Sequence, residues 1–144
     1  MHKVQRSVLV PHSSSQMFDL VADVASYPEF MPWCGGATVH RQDEHGMEAS
    51  ITISIAGLKQ TFTTRNEHQR PTLITFHLVD GPFSMLTGTW QFQELAPDAC
   101  KVVYTMEYAF SSRTLEAVVG PIFNRIATSF IDSFTQRALV KYGE

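Results

Sequence analysis

Apolar residues return at helical spacing near the end of the chain, at Leu115, Val118, Val119, Ile122, Phe123, Ile126, Phe130 and Phe134. Asn124, Arg125, Thr128, Asp132 and Gln136 fall on the opposite side. This pattern, running from Arg113 to Tyr142, predicts one long amphipathic helix that is too polar on one side to cross a bilayer. Its wide apolar face must be covered. Near the start, Lys3 to Val10 alternates with period two, placing Val4, Val8 and Val10 on one side of a strand that Pro11 ends. Ser13 and Gln16 then fit a capping box, and Met17, Phe18, Leu20, Val21 and Val24 recur as a first helix to about Ala25.

From Ala37 to Phe110 the period is again two, which predicts consecutive antiparallel strands. Met47 to Ala56 is the clearest, with Met47, Ala49, Ile51, Ile53 and Ile55 opposite Glu48, Ser50, Thr52 and Ser54. Gly46 and Gly57 mark hairpin turns at its ends, and Lys59 to Asn66 follows as a Thr-rich strand carrying Phe62. Leu73 to Val79 comes after the Arg70-Pro71 turn. Leu86, Gly88, Trp90 and Phe92 share one face of the next strand, and Cys100, Val102, Tyr104, Met106, Tyr108 and Phe110 share one face of the last. The reading is α+β, with a curved antiparallel sheet of about seven strands wrapped around the C-terminal helix.

Three departures from regular patterning point to where that architecture is special. Tyr27-Pro28-Glu29-Phe30-Met31-Pro32-Trp33-Cys34-Gly35-Gly36 is an aromatic, proline-broken connection that either closes the core or rims a pocket. Gly88 stands where an apolar side chain is expected, which marks a bend, a bulge or the close approach of another group. Gly120-Pro121 lies inside the helical pattern, where proline removes a hydrogen bond and costs roughly 3 kcal/mol unless the helix bends or restarts. A bent helix over a curved sheet leaves a hollow, and a void of roughly 300 Å³ would forfeit several kcal/mol if it had no use. The opposing reading is that Trp90, Phe92, Met106, Phe123 and Phe130 fill one another's space.

Composition narrows the function. The 144 residues include 10 Phe, 4 Tyr and 2 Trp, enough for one domain, 1–144, with a sizeable core. A net charge of −3 argues against a protein built mainly to neutralise phosphates, so no DNA partner is expected. The alternation from Met1 to Val10 does not read as a secretion signal, and no segment has the length of a membrane span, so the expected location is the cytoplasm. Cys34 and Cys100 are far apart and read as reduced thiols, with no nucleophile's base assigned to Cys34. His2, His12, His40, His45, His68 and His77 lack metal spacing, and His77 alternates outward between Phe76 and Leu78. Asp19 and Asp23 sit one turn apart on the outer side of the first helix and carry no chemistry. No phosphate loop or nucleophile elbow occurs, so no metal, no cofactor and no catalytic residue is expected.

The capped helix ending in Asp23-Val24, Tyr27-Pro28-x-Phe30-x-Pro32-Trp33-Cys34, Thr61-Phe62-Thr63-Thr64-Arg65-Asn66, Asp80-Gly81-Pro82-Phe83 with Trp90-x-Phe92, and Phe134-x-x-Arg137-Ala138 together carry a resemblance. In combination they resemble the START-like (SRPBCC) coenzyme Q-binding and bacterial ribosome association toxin family, the RatA type, over essentially the whole chain. The resemblance implies the helix-grip fold (START/Bet v 1-like), in which a long C-terminal helix is clasped by the sheet around a hydrophobic tunnel. It also implies one of three functions. The first is non-catalytic binding of ubiquinone or a similar lipid in support of respiratory electron transport, with Trp33, Phe62, Phe76, Trp90, Met106, Phe123, Ile126 and Phe130 as wall residues. The second is binding to the large ribosomal subunit so that it cannot join the small one, with Lys59, Arg65 and Arg70 either contacting phosphates or serving only as solubilising charges. The third is a polyketide cyclase-type enzyme, for which the chain lacks an acid and base pair. Binding without turnover is the expectation, with the quinone reading placed first.

Overall fold

Period-two alternation becomes strand wherever one side chain in two finds an apolar neighbour, and all the predicted strands form. The structure, a computed structural model, describes residues 2–55 and 57–143. Met1, Ala56 and Glu144 lie outside the described residues, and with them the predicted strand end at Ala56 and the limits of the 1–144 domain. In chain order the elements are β1 (His2–Val10), α1 (Ser14–Ala22), a 3-10 helix (Val24–Glu29), β2 (Cys34–Asp43), β3 (Gly46–Ile55), β4 (Leu58–Gln69), β5 (Leu73–Asp80), β6 (Phe83–Ala96), β7 (Ala99–Phe110) and α2 (Arg113–Tyr142). The seven strands form one antiparallel sheet in the order β1-β7-β6-β5-β4-β3-β2, curved around α2.

The helices begin and end for local reasons. Ser13 caps α1 by accepting from the Gln16 backbone while the Gln16 side chain accepts from the Ser13 backbone, which is the predicted capping box. The α-helix stops at Ala22 rather than Ala25, because Asp23 leaves helical geometry (φ −83°, ψ 68°) and the chain tightens into the 3-10 turn that contains Pro28. The Tyr27 hydroxyl donates back to the Val21 carbonyl and ties this turn to α1. Helix α2 runs unbroken through Gly120 and Pro121 for 30 residues. It buries Val119, Phe123, Ile126, Ala127, Ile131, Phe134 and Ala138.

Two expected core positions are open instead. Val118 is 57% exposed, because its neighbour Val119 takes the inward place and one helical stripe cannot hold both. Ile55 is 40% exposed at the outer end of β3, beyond the reach of α2. Gly88 resolves to the close-approach alternative: a Cβ there would overlap the Thr105 carbonyl oxygen and meet the Phe76 ring, whose Cε2 would lie 2.9 Å away. The aromatic ring of β5 therefore occupies the space that Gly88 on β6 leaves, in register with its cross-strand partner.

Candidate functional site

Inner faces of β3 to β7, the end of α1, the 3-10 turn and the middle of α2 converge on a cavity of about 70 Å³. Phe62, Phe76, Trp90, Met106, Phe123 and Phe130, six of the eight expected wall residues, line it. Trp33 and Ile126 are buried elsewhere in the core and do not. Trp33 packs behind the cavity, its ring 5.5 Å from that of Phe130, and its buried Nε1 has no hydrogen-bond partner. With Trp33 and Cys34 both buried, the Pro-Trp-Cys turn closes the core, and only Tyr27 and Met31 of that connection touch the cavity.

The void is far smaller than the expected hollow, and the reason is visible in the rings. Trp90 stacks on Tyr104 with centroids 4.4 Å apart and meets Phe134 edge-on at 5.1 Å. Phe134 meets Tyr27 at 5.4 Å, and Tyr104 meets Phe130 at 5.8 Å. These contacts fill most of the volume between helix and sheet. At about 24 cal/mol per Å³, what remains costs only about 2 kcal/mol, which a domain tolerates without a ligand. An engineered cavity of about 150 Å³ accepts benzene, so a space under half that size does not take a quinone head without rearrangement.

Sequence reasoning missed two polar residues of the cavity. Thr64 and Asn66 follow Phe62 along the inward face of β4 at the strand period, and Thr64 Oγ1 donates to Asn66 Oδ1 at 2.9 Å. The period of two was the available signal. His68 continues the same row, edge-on to Phe18 at 5.5 Å, with Nε2 buried and unpartnered. Burial lowers its pKa from the ordinary 6.5, and Asp43 opposes the shift. The unfolded chain therefore binds the proton more readily than the native one, so stability is full above pH 6.5 and falls as pH drops towards the depressed native value. Urea midpoints at pH 7.5 and 5.5 should converge when His68→Gln replaces the wild type; an unchanged difference would remove His68 as the cause.

Burial raises the pKa of Cys34, and pushes Cys100 to about 11, so both thiols are protonated at neutral pH. Burial likewise raises the phenols of Tyr27 and Tyr104 above their ordinary range. Among the described residues no group of three or more His, Cys, Asp or Glu side chains is placed to hold a metal ion. No helix among them is long and apolar enough to cross a membrane.

On the surface, two of the three candidate phosphate contacts are already engaged. Arg65 pairs with Glu48 at 3.2 Å, and Arg70 grips both carboxylate oxygens of Asp19 at 2.9 and 2.8 Å. Among the described residues Lys59 has no carboxylate within 4.0 Å. Cross-strand register explains the rest of the outer face, where Lys3, Glu107, Thr87, His77, Arg65, Glu48 and Arg41 form one row across all seven strands. Opposite charges alternate along it, as in Lys3 to Glu107 at 3.4 Å, so this row is not a basic stripe.

Known proteins match this architecture and this chain. The family profile described as polyketide cyclase / dehydrase and lipid transport matches residues 10–135. The chain is 47% identical over 144 residues to the ribosome association toxin RatA of Vibrio cholerae, covering 100% of both, and 40% identical to that of Pseudomonas aeruginosa, covering 97% of both. It is 24% identical to the mitochondrial coenzyme Q-binding protein COQ10 of Drosophila melanogaster, covering 94% of this chain and 57% of that one. Among solved structures, an 18 kDa protein from Caulobacter crescentus superposes with TM-score 0.75 at 31% identity over 100% of both chains. A Streptomyces aromatase/cyclase superposes with TM-score 0.77 at 18% identity over 98% of this chain and 96% of its own, which is a likeness of fold alone.

Proposed function

Because the chain belongs to the polyketide cyclase, dehydrase and lipid transport family, START-like proteins that include the ribosome association toxins, we propose that it acts by binding to the large ribosomal subunit and blocking its association with the small one. The observation that carries this reading is the 47% identity to a ribosome association toxin along the entire chain. It reverses the order of the two binding functions expected from sequence. A cavity of about 70 Å³ supports the same order, since a surface-acting protein needs no internal ligand. The absence of an acid and base pair among Thr64, Asn66 and the apolar lining supports binding without turnover. Overproducing the protein should raise free subunits at the expense of joined ribosomes on a sucrose gradient. An unchanged ratio at high expression would count against the proposal.

Lipid binding is the second reading, and the apolar lining favours it together with the more distant likeness to a coenzyme Q-binding protein. It requires the rings around Phe130 and Phe134 to move apart. Native mass spectrometry of freshly purified protein separates the two readings: a stoichiometric prenylquinone mass supports this second one, and bare protein opposes it.

A further inference from the structure

We propose that the groove between α1 and the turn from β2 to β3 is a binding site for a small neutral ligand with a hydroxyl head and a short alkyl tail, the head held at Asn66 and His68 and the tail passing Ala22 into the cavity. The inference goes beyond the ribosome reading and does not depend on it. The groove measures about 570 Å³. Phe18, Asp19 and Ala22 of α1 form one bank, Gln42 to His45 the other, and His68 and Arg70 at the end of β4 the floor. Groove and cavity adjoin. Ala22, with a one-carbon side chain, lines both of them. On the sheet side the neighbours of His68 line the cavity: Asn66, two residues earlier on the same face of β4, and Ile74, its cross-strand partner on β5.

The chemistry of the groove selects the head group. Its charges are already matched: Asp19 is held by Arg70 at 2.9 and 2.8 Å, Asp43 by Arg41 at 2.9 Å and by the His45 and Gly46 backbone N–H groups at 2.8 and 3.1 Å, and Glu44 lies 3.4 Å from His45 Nε2. A carboxylate or an ammonium ion entering here gives up hydration and finds no free counter-charge. The groups left unused are neutral ones. His68 Nε2 is buried without a hydrogen-bond partner, and burial keeps its imidazole uncharged at pH 7.5. Asn66 accepts from Thr64 through Oδ1, and its Nδ2 has no partner among the described residues. A hydroxyl can accept from an amide while donating to, or accepting from, a neutral imidazole, so one such group satisfies both side chains. Behind them the cavity of about 70 Å³ is apolar apart from Thr64, Asn66 and the Tyr27 hydroxyl, and its size suits a short chain better than a ring.

The test titrates the purified wild type with 1-pentanol, pentylamine and pentanoate at pH 7.5, following the Asn66 side-chain amide, the His68 ring and the Ile74 methyl groups by NMR. 1-Pentanol should shift all three signals to saturation with one affinity, and the amine and the acid should bind about tenfold more weakly or worse. From 1-propanol to 1-pentanol each added methylene should tighten binding about fourfold. His68→Phe, which keeps a ring and removes Nε2, should weaken 1-pentanol binding about tenfold. Ala22→Leu, which fills the shared wall from a half-buried position, should abolish the dependence on chain length. If either variant fails to fold, the wild-type series decides. Failure of 1-pentanol to saturate, pentanoate binding as tightly as the alcohol, or a chain-length dependence that survives Ala22→Leu would overturn the proposal.

Discussion

Replacing Phe123 with alanine lowers the free energy of unfolding by about 3 to 5 kcal/mol, the range for a fully buried aromatic whose site cannot collapse. The residue is 1% exposed and sits at the centre of a ring cluster, 4.8 Å from Tyr108, 4.9 Å from Phe83, 6.1 Å from Phe110 and 6.2 Å from Phe62. Those four rings belong to β4, β6 and β7, so none can follow the lost side chain without moving its strand. Val118→Ala, one turn earlier but 57% exposed, should change stability by less than about 0.5 kcal/mol. Urea unfolding of both variants checks the pair. A loss under about 1 kcal/mol at Phe123 would mean that α2 is not seated on the sheet as described.

Gly88→Ala should be nearly as damaging, although it adds a single methyl group. The methyl overlaps a backbone oxygen of β7 as well as the Phe76 ring, and while a ring can rotate, a strand carbonyl in the middle of a sheet cannot withdraw cheaply. We expect a loss of about 2 to 4 kcal/mol, with a shift in near-ultraviolet circular dichroism as the Trp90 and Tyr104 stack is disturbed. Phe76→Ala in the same background should recover part of the loss. If Phe76→Ala recovers all of it, the ring and not the carbonyl sets the requirement for glycine. A Gly88→Ala protein as stable as the wild type would remove both.

The sequence made the framework legible because each element announces itself by a short-range rule. Alternation in Met47, Ala49, Ile51 and Ile53 identified β3, and helical recurrence from Leu115 to Phe134 identified α2. The same rules fail where an outcome depends on what lies across the fold. Val118 and Ile55 are apolar residues in regular elements, and they face water because Val119 already holds the inward place on the helix and Ile55 lies at the end of its hairpin. Six lining residues could be named in advance because the strand period, and for Phe123 and Phe130 the helical one, says which side chains point inward. The size of the space could not, because it depends on whether Trp90 lies flat on Tyr104 and how Phe130 and Phe134 turn, angles that no spacing encodes. Arg65 and Arg70 show the same limit for charge: their partners, Glu48 and Asp19, are 17 and 51 residues away in the chain.

These observations bear on function through one contrast. The cavity is small, its lining is apolar apart from Thr64, Asn66 and the Tyr27 hydroxyl, and burial raises the pKa of both thiols and of Tyr104. The chain as a whole is a full-length match to a ribosome association toxin. The most direct measurement is sedimentation of the purified protein with isolated large subunits and, separately, with isolated small subunits, followed by mixing the two in magnesium buffer. Saturable pelleting with the large subunit alone, together with a dose-dependent loss of joined ribosomes, is the predicted result. Protein that stays in the supernatant in both cases, with subunits joining normally, would contradict it.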